Sequence, residues 1–507
     1  MQVKTQTDEL QNYLTDASNL QGGYASKLFI PNTPDEIVEI LKEANEKKIS
    51  VTVSGARTGT VGGAIPFGGW VISLEKFNRI KEINEVFAVV ESGVILTDLQ
   101  KAVEAKSLFY PPDPTEWSCQ IGGTIATNAS GAQSFKYGAT RDYVRRLSIV
   151  LADGDFLNLR RGEIYSNDGL VELETESGKT IRVKLPTYGA PDVRKNAAGY
   201  FAAARLDAID LFIGSEGTLG VITEIELGLL KKPAGFLSGI VFFKDETDLL
   251  NFVDDARRVS FETRKQNASV LPAISSRQDA VSPTIDATVL EYFDENSLKF
   301  IKEKFPETPE DVRGAIFFEQ ETIEETEDAL FEQWNHLLEK HHAEIDDSWF
   351  TTNEQDLNKM REFRHALPVA VNERVVKNKQ RKIGTDMAVP DERFASFLKF
   401  YKHKLNESDL DYVIFGHIGD NHLHANILPK NDDEAARAKH LYGRFIAQAI
   451  MLGGTISAEH GIGKLKSKYL YAQYGERYLN EMAELKRAFD PNGILGRGNM
   501  FDAKFLI

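Results

Sequence analysis

The sequence predicts an α+β protein built from two domains, and three observations carry that expectation. The chain has 507 residues, whereas a single hydrophobic core stops growing near about 250–300. Up to about residue 230, short β-branched runs alternate with short helical patterns. Around Lys231-Lys-Pro-Ala-Gly the character shifts, and segments 240–410 carry longer amphipathic helices between a few strands. The boundary is expected near residue 232, giving domains 1–232 and 233–507.

Local chemistry supports each element. Pro31-Asn-Thr-Pro-Asp-Glu opens a helix to about Lys48: Thr33 can cap, Pro34 suits the first turn, and Ile37, Ile40, Leu41 and Ala44 follow at helical spacing. Ile49-Ser-Val-Thr-Val-Ser is a β-branched strand that runs into glycine. Val71-Ile-Ser-Leu and Val86-Phe-Ala-Val-Val-Glu read as strands, and Leu96 to Lys106 as a helix. Leu147-Ser-Ile-Val-Leu-Ala before Asp153-Gly-Asp is a strand and turn. Val221-Ile-Thr-Glu-Ile-Glu-Leu is the strand that closes this region. Beyond the boundary, Glu246–Arg258 and Glu321–His341 read as helices. The basic cluster Arg374, Lys377, Lys379, Arg381 and Lys382 reads as a solvated loop.

Composition excludes several classes. Lys plus Arg number 60 against 76 Asp plus Glu, a formal net charge of -16. That balance disfavours nucleic acid and anionic lipid, which need a basic surface. One cysteine, Cys119, excludes an internal disulfide, a Cys-rich zinc module and a Cys-held iron–sulfur cluster. The N-terminus has no basic segment followed by an apolar run, and no stretch of about 18 apolar residues occurs, so neither signal peptide nor transmembrane anchor is expected. A cytoplasmic location is expected, with peripheral attachment to a membrane as the alternative.

Three glycine-rich segments carry the cofactor argument. Ser54-Gly-Ala-Arg-Thr-Gly-Thr-Val-Gly-Gly follows a strand, and bare N–H groups in such a loop can wrap a pyrophosphate. It is neither a Walker loop nor a dinucleotide fingerprint, since another strand follows. Alone it is as compatible with a structural turn. Pro111-Pro-Asp-Pro-Thr-Glu then leads to Ile121-Gly-Gly-Thr-Ile-Ala-Thr-Asn-Ala-Ser-Gly-Ala, and later comes Phe212-Ile-Gly-Ser-Glu-Gly-Thr-Leu-Gly-Val-Ile-Thr.

The histidines concentrate the remaining chemistry. All ten lie at or after His336. Asp411-Tyr-Val-Ile-Phe-Gly-His and His422-Leu-His-Ala-Asn-Ile-Leu flank Gly419-Asp-Asn. With a two-residue loop at Asp420-Asn421, His417 would oppose His424 at about 4.5–5.5 Å between Cβ atoms. Two imidazoles so placed can chelate a divalent ion, and Asn426 falls on the same face. Isolated histidine pairs are more often structural, so the hairpin alone does not decide. Gly453-Gly-Thr-Ile-Ser-Ala-Glu-His-Gly-Ile-Gly adds a Glu–His pair in a loop able to approach a cofactor.

In their order, these motifs, with Tyr137-Gly-Ala-Thr-Arg-Asp-Tyr-Val and Lys195-Asn-Ala-Ala-Gly-Tyr between them, resemble the FAD-binding family of vanillyl-alcohol oxidase and para-cresol methylhydroxylase (PCMH). The nearest branch contains glycolate oxidase, D-lactate dehydrogenase and D-2-hydroxyglutarate dehydrogenase, and the likeness runs from about residue 25 to 505. It implies a PCMH-type FAD-binding domain of two subdomains. It also implies a cap with an antiparallel sheet and helices, whose last segment, about 453–507, returns to the flavin.

Residue by residue, the resemblance implies that Gly55, Gly59, Thr60, Gly62 and Gly63 hold the FAD pyrophosphate. Pro111, Asp113, Thr115, Gly122, Gly123, Asn128 and Gly131 would line the ribityl and isoalloxazine, with Gly214, Gly217 and Ile222 on the adenosine side. No histidine precedes His336, which excludes a histidyl–flavin link in this domain, and FAD is expected to be noncovalent. His417, His424 and Glu459 would bind a divalent cation, usually zinc, with manganese or iron as alternatives. His460 would be the base. Arg364, in Phe363-Arg-His-Ala-Leu-Pro, would grip the substrate carboxylate; without that context it reads as a surface ion pair. Lys382, Thr385 and Asn426 are placed with the substrate.

Two departures stand out. The family pattern Gly-Asp-Gly-Asn-Leu-His is here Gly419-Asp-Asn-His-Leu-His, so His422 replaces an asparagine, outside the two implied histidine ligands. Gly496-Arg-Gly-Asn stands where Asn-Pro-Gly-Lys is usual. The implied reaction is oxidation of a D-2-hydroxy acid, delivering electrons to a quinone, a flavoprotein, a cytochrome or oxygen; a homodimer is compatible. The rivals are a flavin-dependent transferase such as alkyl-dihydroxyacetone-phosphate synthase, which would not need the metal constellation, and a noncatalytic flavin-binding subunit.

Overall fold

The computed structural model describes residues 1–270 and 283–506. Thr33 caps the helix Pro34–Glu46 by accepting from the Glu36 amide, and Ile37, Ile40, Leu41 and Ala44 are its buried residues, as the spacing predicts. This helix packs on a four-stranded sheet in the order Gln2–Lys4, Lys27–Ile30, Trp70–Ser73, Val51–Ser54. The last three strands are parallel, joined by crossovers.

A second sheet takes the order Ile80–Ile83, Phe87–Glu91, Val221–Gly228, Val144–Val150, Phe156–Arg160, with every pairing antiparallel. The strand at Val221 thus becomes the centre of its sheet. A hairpin, Leu170–Glu174 with Thr180–Lys184, stands apart from it.

Among the described residues, all seven strands of the third sheet come after residue 232. Their order is Trp349–Thr351, Gly235–Phe243, Gly314–Thr322, Val289–Asp294, Tyr412–Gly416, His424–Ile427, Ile383–Gly384, and the pairings are antiparallel. Helices cover both faces. Val241, Phe243 and Phe318 pack with Phe252 and Trp334 of the helices Glu246–Val270 and Glu324–Lys340. Ile240, Phe242 and Phe317 pack with Leu298 and Phe363 of Glu295–Ile301 and Glu354–Lys377. Burial on both faces removes the polar alternation that marks a half-exposed strand. The expected helix from Glu321 begins at Glu324 instead, because Glu321 and Thr322 pair with Phe236 and Gly235 as the end of the strand.

The C-terminal stretch runs back to the first sheet. The Val51 amide donates to Ile494 O and the Gly496 amide to Val51 O, while the helix Ser467–Phe489 packs against the strand Thr180–Lys184. The basic cluster from Arg374 to Lys382 is exposed, at the end of the helix Glu354–Lys377 and just beyond it.

Candidate active site

The glycine-rich segments meet through backbone bonds. Gly214 and Glu216 amides donate to Ile125 and Ala126 carbonyls at 2.8 Å each. Asn128 ends the helix Ile121–Thr127 in the left-handed region and accepts from the Arg141 amide at 2.9 Å. Gly131 has no alternative there, since a Cβ would lie 1.8 Å from Asp113 O. That close approach joins the Pro111–Thr115 segment to the Asn128–Gly131 turn. Asn499, in the departing Gly496-Arg-Gly-Asn, donates to Gly63 O and Glu216 O at 3.0 and 3.1 Å and accepts from Lys464. The altered segment therefore still knits the first loop to the third.

These loops fit a flavin dinucleotide. A Cβ at Gly59 or Gly123 would meet nothing within 4 Å among the described residues, so their backbones face open space. Gln120, beside Gly55, holds a buried Oε1 with no hydrogen-bond partner among the described residues, and a buried orphan of this kind calls for one. Gly55, Gly62, Gly214 and Gly217 flank the same junction; Thr60 and Thr115 are exposed beside it, and Ile222 lies in the central strand Val221–Gly228.

The second half of the site begins at the hairpin, where the expected register is corrected. His424 opposes Phe415, not His417, and Tyr412 opposes Ile427. The connection is longer than two residues: a 3-10 turn over Ile418–Asp420 and a left-handed Asn421 follow His417. The longer loop lets His417 leave the ladder and bend back, so the two rings still lie 5.8 Å apart between centroids. Asn426 pairs with Val413 and Gly384, and its amide donates to His424 O.

Four groups converge there, and one was outside the expected set. His417, His422, His424 and Glu459 each offer a ligand atom within 4.8 Å of the others. Glu459 Oε1 accepts from Lys195 at 2.6 Å and from Ser130 Oγ at 2.9 Å. Its Oε2 lies 3.4 Å from His417 Nε2, 3.8 Å from His422 Nδ1 and 3.9 Å from His424 Nε2. The far side of His417 is held by Glu291 at 2.5 Å, and that of His424 by Thr385 O at 2.9 Å. Carboxylate or carbonyl partners behind imidazoles fix the tautomer a metal needs. Because Ser130 precedes Gly131, the loop assigned to the flavin touches the metal candidate directly. Lys195 also donates to Gly131 O at 3.0 Å.

Electrostatics match this arrangement. Burial opposes ionisation of Glu459, yet His417, Lys195 and His422 hold its carboxyl well below the ordinary range. Burial would lower His417, but Glu291 and Glu459 raise it to about 9; the same negative field favours a cation. Burial and the neighbouring imidazoles hold His424 well below its usual value.

Asp386, next to the expected Thr385, organises the loop that carries Glu459 and His460. It has no exposure and accepts from the Glu459 and His460 amides at 3.1 Å each, from Ser457 Oγ at 2.7 Å and from Lys466 at 2.5 Å. His460 stacks on His424 with centroids 5.4 Å apart and has a lowered pKa, burial outweighing Asp386. Glu216 accepts from the Ile462 and Gly463 amides at 2.6 and 2.7 Å, fixing the chain just after His460.

The substrate candidates separate. Arg364 is buried on Glu354–Lys377, and its Nε lies 3.3 Å from Glu291, which also holds His417. Thr385 is buried with its hydroxyl engaged by Leu423 O and the Ala425 amide, so it holds the strand bearing His424. Lys382 is exposed. Lys195, Glu291 and Asp386 were not singled out for the site from sequence. Glu291, a carboxylate inside the apolar run Val-Leu-Glu-Tyr-Phe, was the available signal.

Comparison with known proteins decides the family. Residues 25–160 match the model of the FAD binding domain, and residues 266–500 that of the FAD linked oxidases, C-terminal domain. Similar over nearly the full length is glycolate oxidase subunit GlcD of Bacillus subtilis, at 31% identity across 96% of this chain and 92% of that protein. The chain belongs to the FAD-linked oxidase family. Another relative, D-lactate dehydrogenase of Anaerostipes hadrus, is 32% identical across 97% of this chain and 93% of its own. D-2-hydroxyglutarate dehydrogenase of Stutzerimonas stutzeri is 29% identical, across 99% and 96%. Among solved structures, substrate-bound p-cresol methylhydroxylase superposes with TM-score 0.69 at 15% identity, covering 99% of this chain and 94% of that one. Alkyldihydroxyacetonephosphate synthase gives 0.64 at 14%, covering 98% and 82%. Both share the FAD-linked oxidase fold, and at such identity the likeness extends to fold alone.

Proposed function

We propose that this flavoprotein oxidises a D-2-hydroxy acid of the D-lactate, D-2-hydroxyglutarate or glycolate class to the 2-oxo acid, with residues 1–232 as the FAD domain and 233–507 as the cap. The observation that carries this reading is the contact of Ser130 and Lys195 with Glu459, which sets the flavin loop against the imidazole–carboxylate cluster. Bound FAD supplies the hydride acceptor, and a divalent ion held by His417, His424 and Glu459, zinc or else manganese or iron, supplies a Lewis acid for the substrate hydroxyl. Arg364 holds the substrate carboxylate through a planar fork suited to two oxygens. His460, with its pKa lowered, is a neutral imidazole at neutral pH and takes the hydroxyl proton. Asp386 and Glu216 keep the His460 backbone in place. A buried Cys119, its thiol pushed up to about 12 by burial, supports noncovalent FAD.

Relatives named for D-lactate, D-2-hydroxyglutarate and glycolate support the substrate class. The electron acceptor is proposed only as a quinone, flavoprotein, cytochrome or oxygen. Among the described residues no helix is long and apolar enough to cross a membrane; a cytoplasmic location is proposed. The test is removal of the ion: a strong chelator should abolish turnover while the protein stays yellow, and a divalent cation should restore it. Full turnover in metal-free protein would refute the reading.

A further inference from the structure

We propose that His422 is a fourth protein ligand of the divalent ion, so that this chain presents three imidazoles and one carboxylate. The inference rests on the metal reading above and goes beyond the ligands implied by the family resemblance, where asparagine occupies this position.

His422 is wholly buried, and among the described residues neither ring nitrogen has a hydrogen-bond partner. An imidazole carries two polar nitrogens, and burying both unpaired costs free energy that native proteins avoid. Its position supplies a partner for each. Nε2 lies 3.2 Å from Asp386 Oδ1, close but not aligned as a hydrogen bond. Nδ1 faces Glu459 Oε2 at 3.8 Å, the same oxygen that His417 Nε2 and His424 Nε2 approach. All three rings therefore repeat one pattern. An oxygen of Glu291, Asp386 or Thr385 stands behind one nitrogen, and the other nitrogen turns to a common point.

The spacing suits an ion. With bonds of about 2.0–2.2 Å, donor atoms around one metal lie roughly 2.8–4.4 Å apart, from right-angled to opposite positions. The three contacts with Glu459 Oε2 span 3.4–3.9 Å, so small side-chain adjustments complete the set. Lys195 and Ser130 occupy Glu459 Oε1, leaving Oε2 as the single carboxylate donor. Four protein donors fill a tetrahedral ion but leave two positions on an octahedral one, enough for the hydroxyl and carboxylate oxygens of a 2-hydroxy acid. His422 therefore favours a metal that readily takes five or six ligands, with imidazole softness suited to zinc, iron or nickel. The competing arrangement is His422 as an imidazolium between Asp386 and Glu459, which would leave the metal affinity to the other three groups.

The test uses flavin-loaded wild type, His422→Asn, His422→Ala and His424→Ala. Zinc and manganese affinities are measured by competition with a chromophoric chelator, and imidazole ligands are counted by X-ray absorption. Wild type should show three imidazoles and His422→Asn two, with at least about a 100-fold loss of affinity, beyond the range typical of an outer-shell change. Unchanged affinity and imidazole count in both His422 variants, with loss in His424→Ala, would overturn the role of His422 alone. A wild type that binds no divalent ion would overturn the metal reading and this inference together. Flavin absorbance identifies misfolded protein; should His422→Ala lose flavin, His422→Asn decides, and the wild-type imidazole count alone can refute the proposal.

Discussion

Replacing Asp386 by asparagine should uncouple His460, the proposed base, from its scaffold at a cost that the structure sets. Asp386 has no exposure, and Lys466, only 6% exposed, lies 2.5 Å from it with Ser457 Oγ as its other partner at 3.1 Å. Removing one partner of a buried ion pair leaves an uncompensated charge, worth about 3–5 kcal/mol of destabilisation. The amide also presents N–H groups where His460 N, Ser457 Oγ and Lys466 donate, so at least one backbone anchor of the Glu459–His460 pair is lost. Stability by guanidinium denaturation of the flavin-loaded protein should fall by about 3–5 kcal/mol, and kcat should fall more than KM rises. The double variant Asp386→Asn with Lys466→Met removes the orphaned ammonium. It should regain most of the stability but not kcat, because the base remains unanchored. A single variant within about 1 kcal/mol of wild type, less than the cost of an orphaned buried charge, would refute the reasoning, as would a double variant that recovers activity along with stability.

Other consequences can be measured independently. Arg364→Ala should lower kcat/KM by about 10–100-fold through loss of a charged contact, and Arg364→Lys should restore little of it; wild-type kinetics in either would remove Arg364 from the site. His460→Ala should retain metal and FAD yet reduce flavin about 100–10,000-fold more slowly in stopped flow; reduction at the wild-type rate would exclude it as the base. Asp294 caps Glu295–Ile301 from a buried position that raises its pKa from 3.8 to about 6. Between those values the folded state binds more protons than the unfolded one, so stability from this group falls as pH rises, by about 3 kcal/mol in all. Asp294→Asn should thus match wild type near pH 4 and exceed it above pH 6; parallel pH profiles would contradict this. Acid precipitation should release all FAD unmodified, since Cys119 is buried with a raised pKa; yellow precipitated protein would show a covalent link.

Much of the fold is written locally in the sequence. The helix after Thr33 follows from a cap, a first-turn proline and helical spacing, all contiguous. The cap strands were less legible, because Gly235–Phe243 and Gly314–Thr322 are buried on both faces and lack polar alternation. At the site, the clustered histidines were visible through their glycine-rich setting, but the hairpin register was not. It depends on a 3-10 turn after His417 that no two-residue loop rule anticipates. Residues that act through distant partners were hardest to see. Glu291 meets His417 across 126 positions and Asp386 meets Lys466 across 80, so neither role has a local signature. His422 looked like a departure from a pattern, and only its burial beside Glu459 gives it chemistry.

The central claim is tested most directly by anaerobic addition of D-lactate, D-2-hydroxyglutarate and glycolate to the flavin- and metal-loaded protein while the flavin absorbance is followed. At least one should bleach the flavin with formation of its 2-oxo acid. For a chiral substrate the L-enantiomer should leave the protein yellow, and prior chelation should prevent bleaching. A flavin that stays oxidised with every D-2-hydroxy acid of this class would contradict the account.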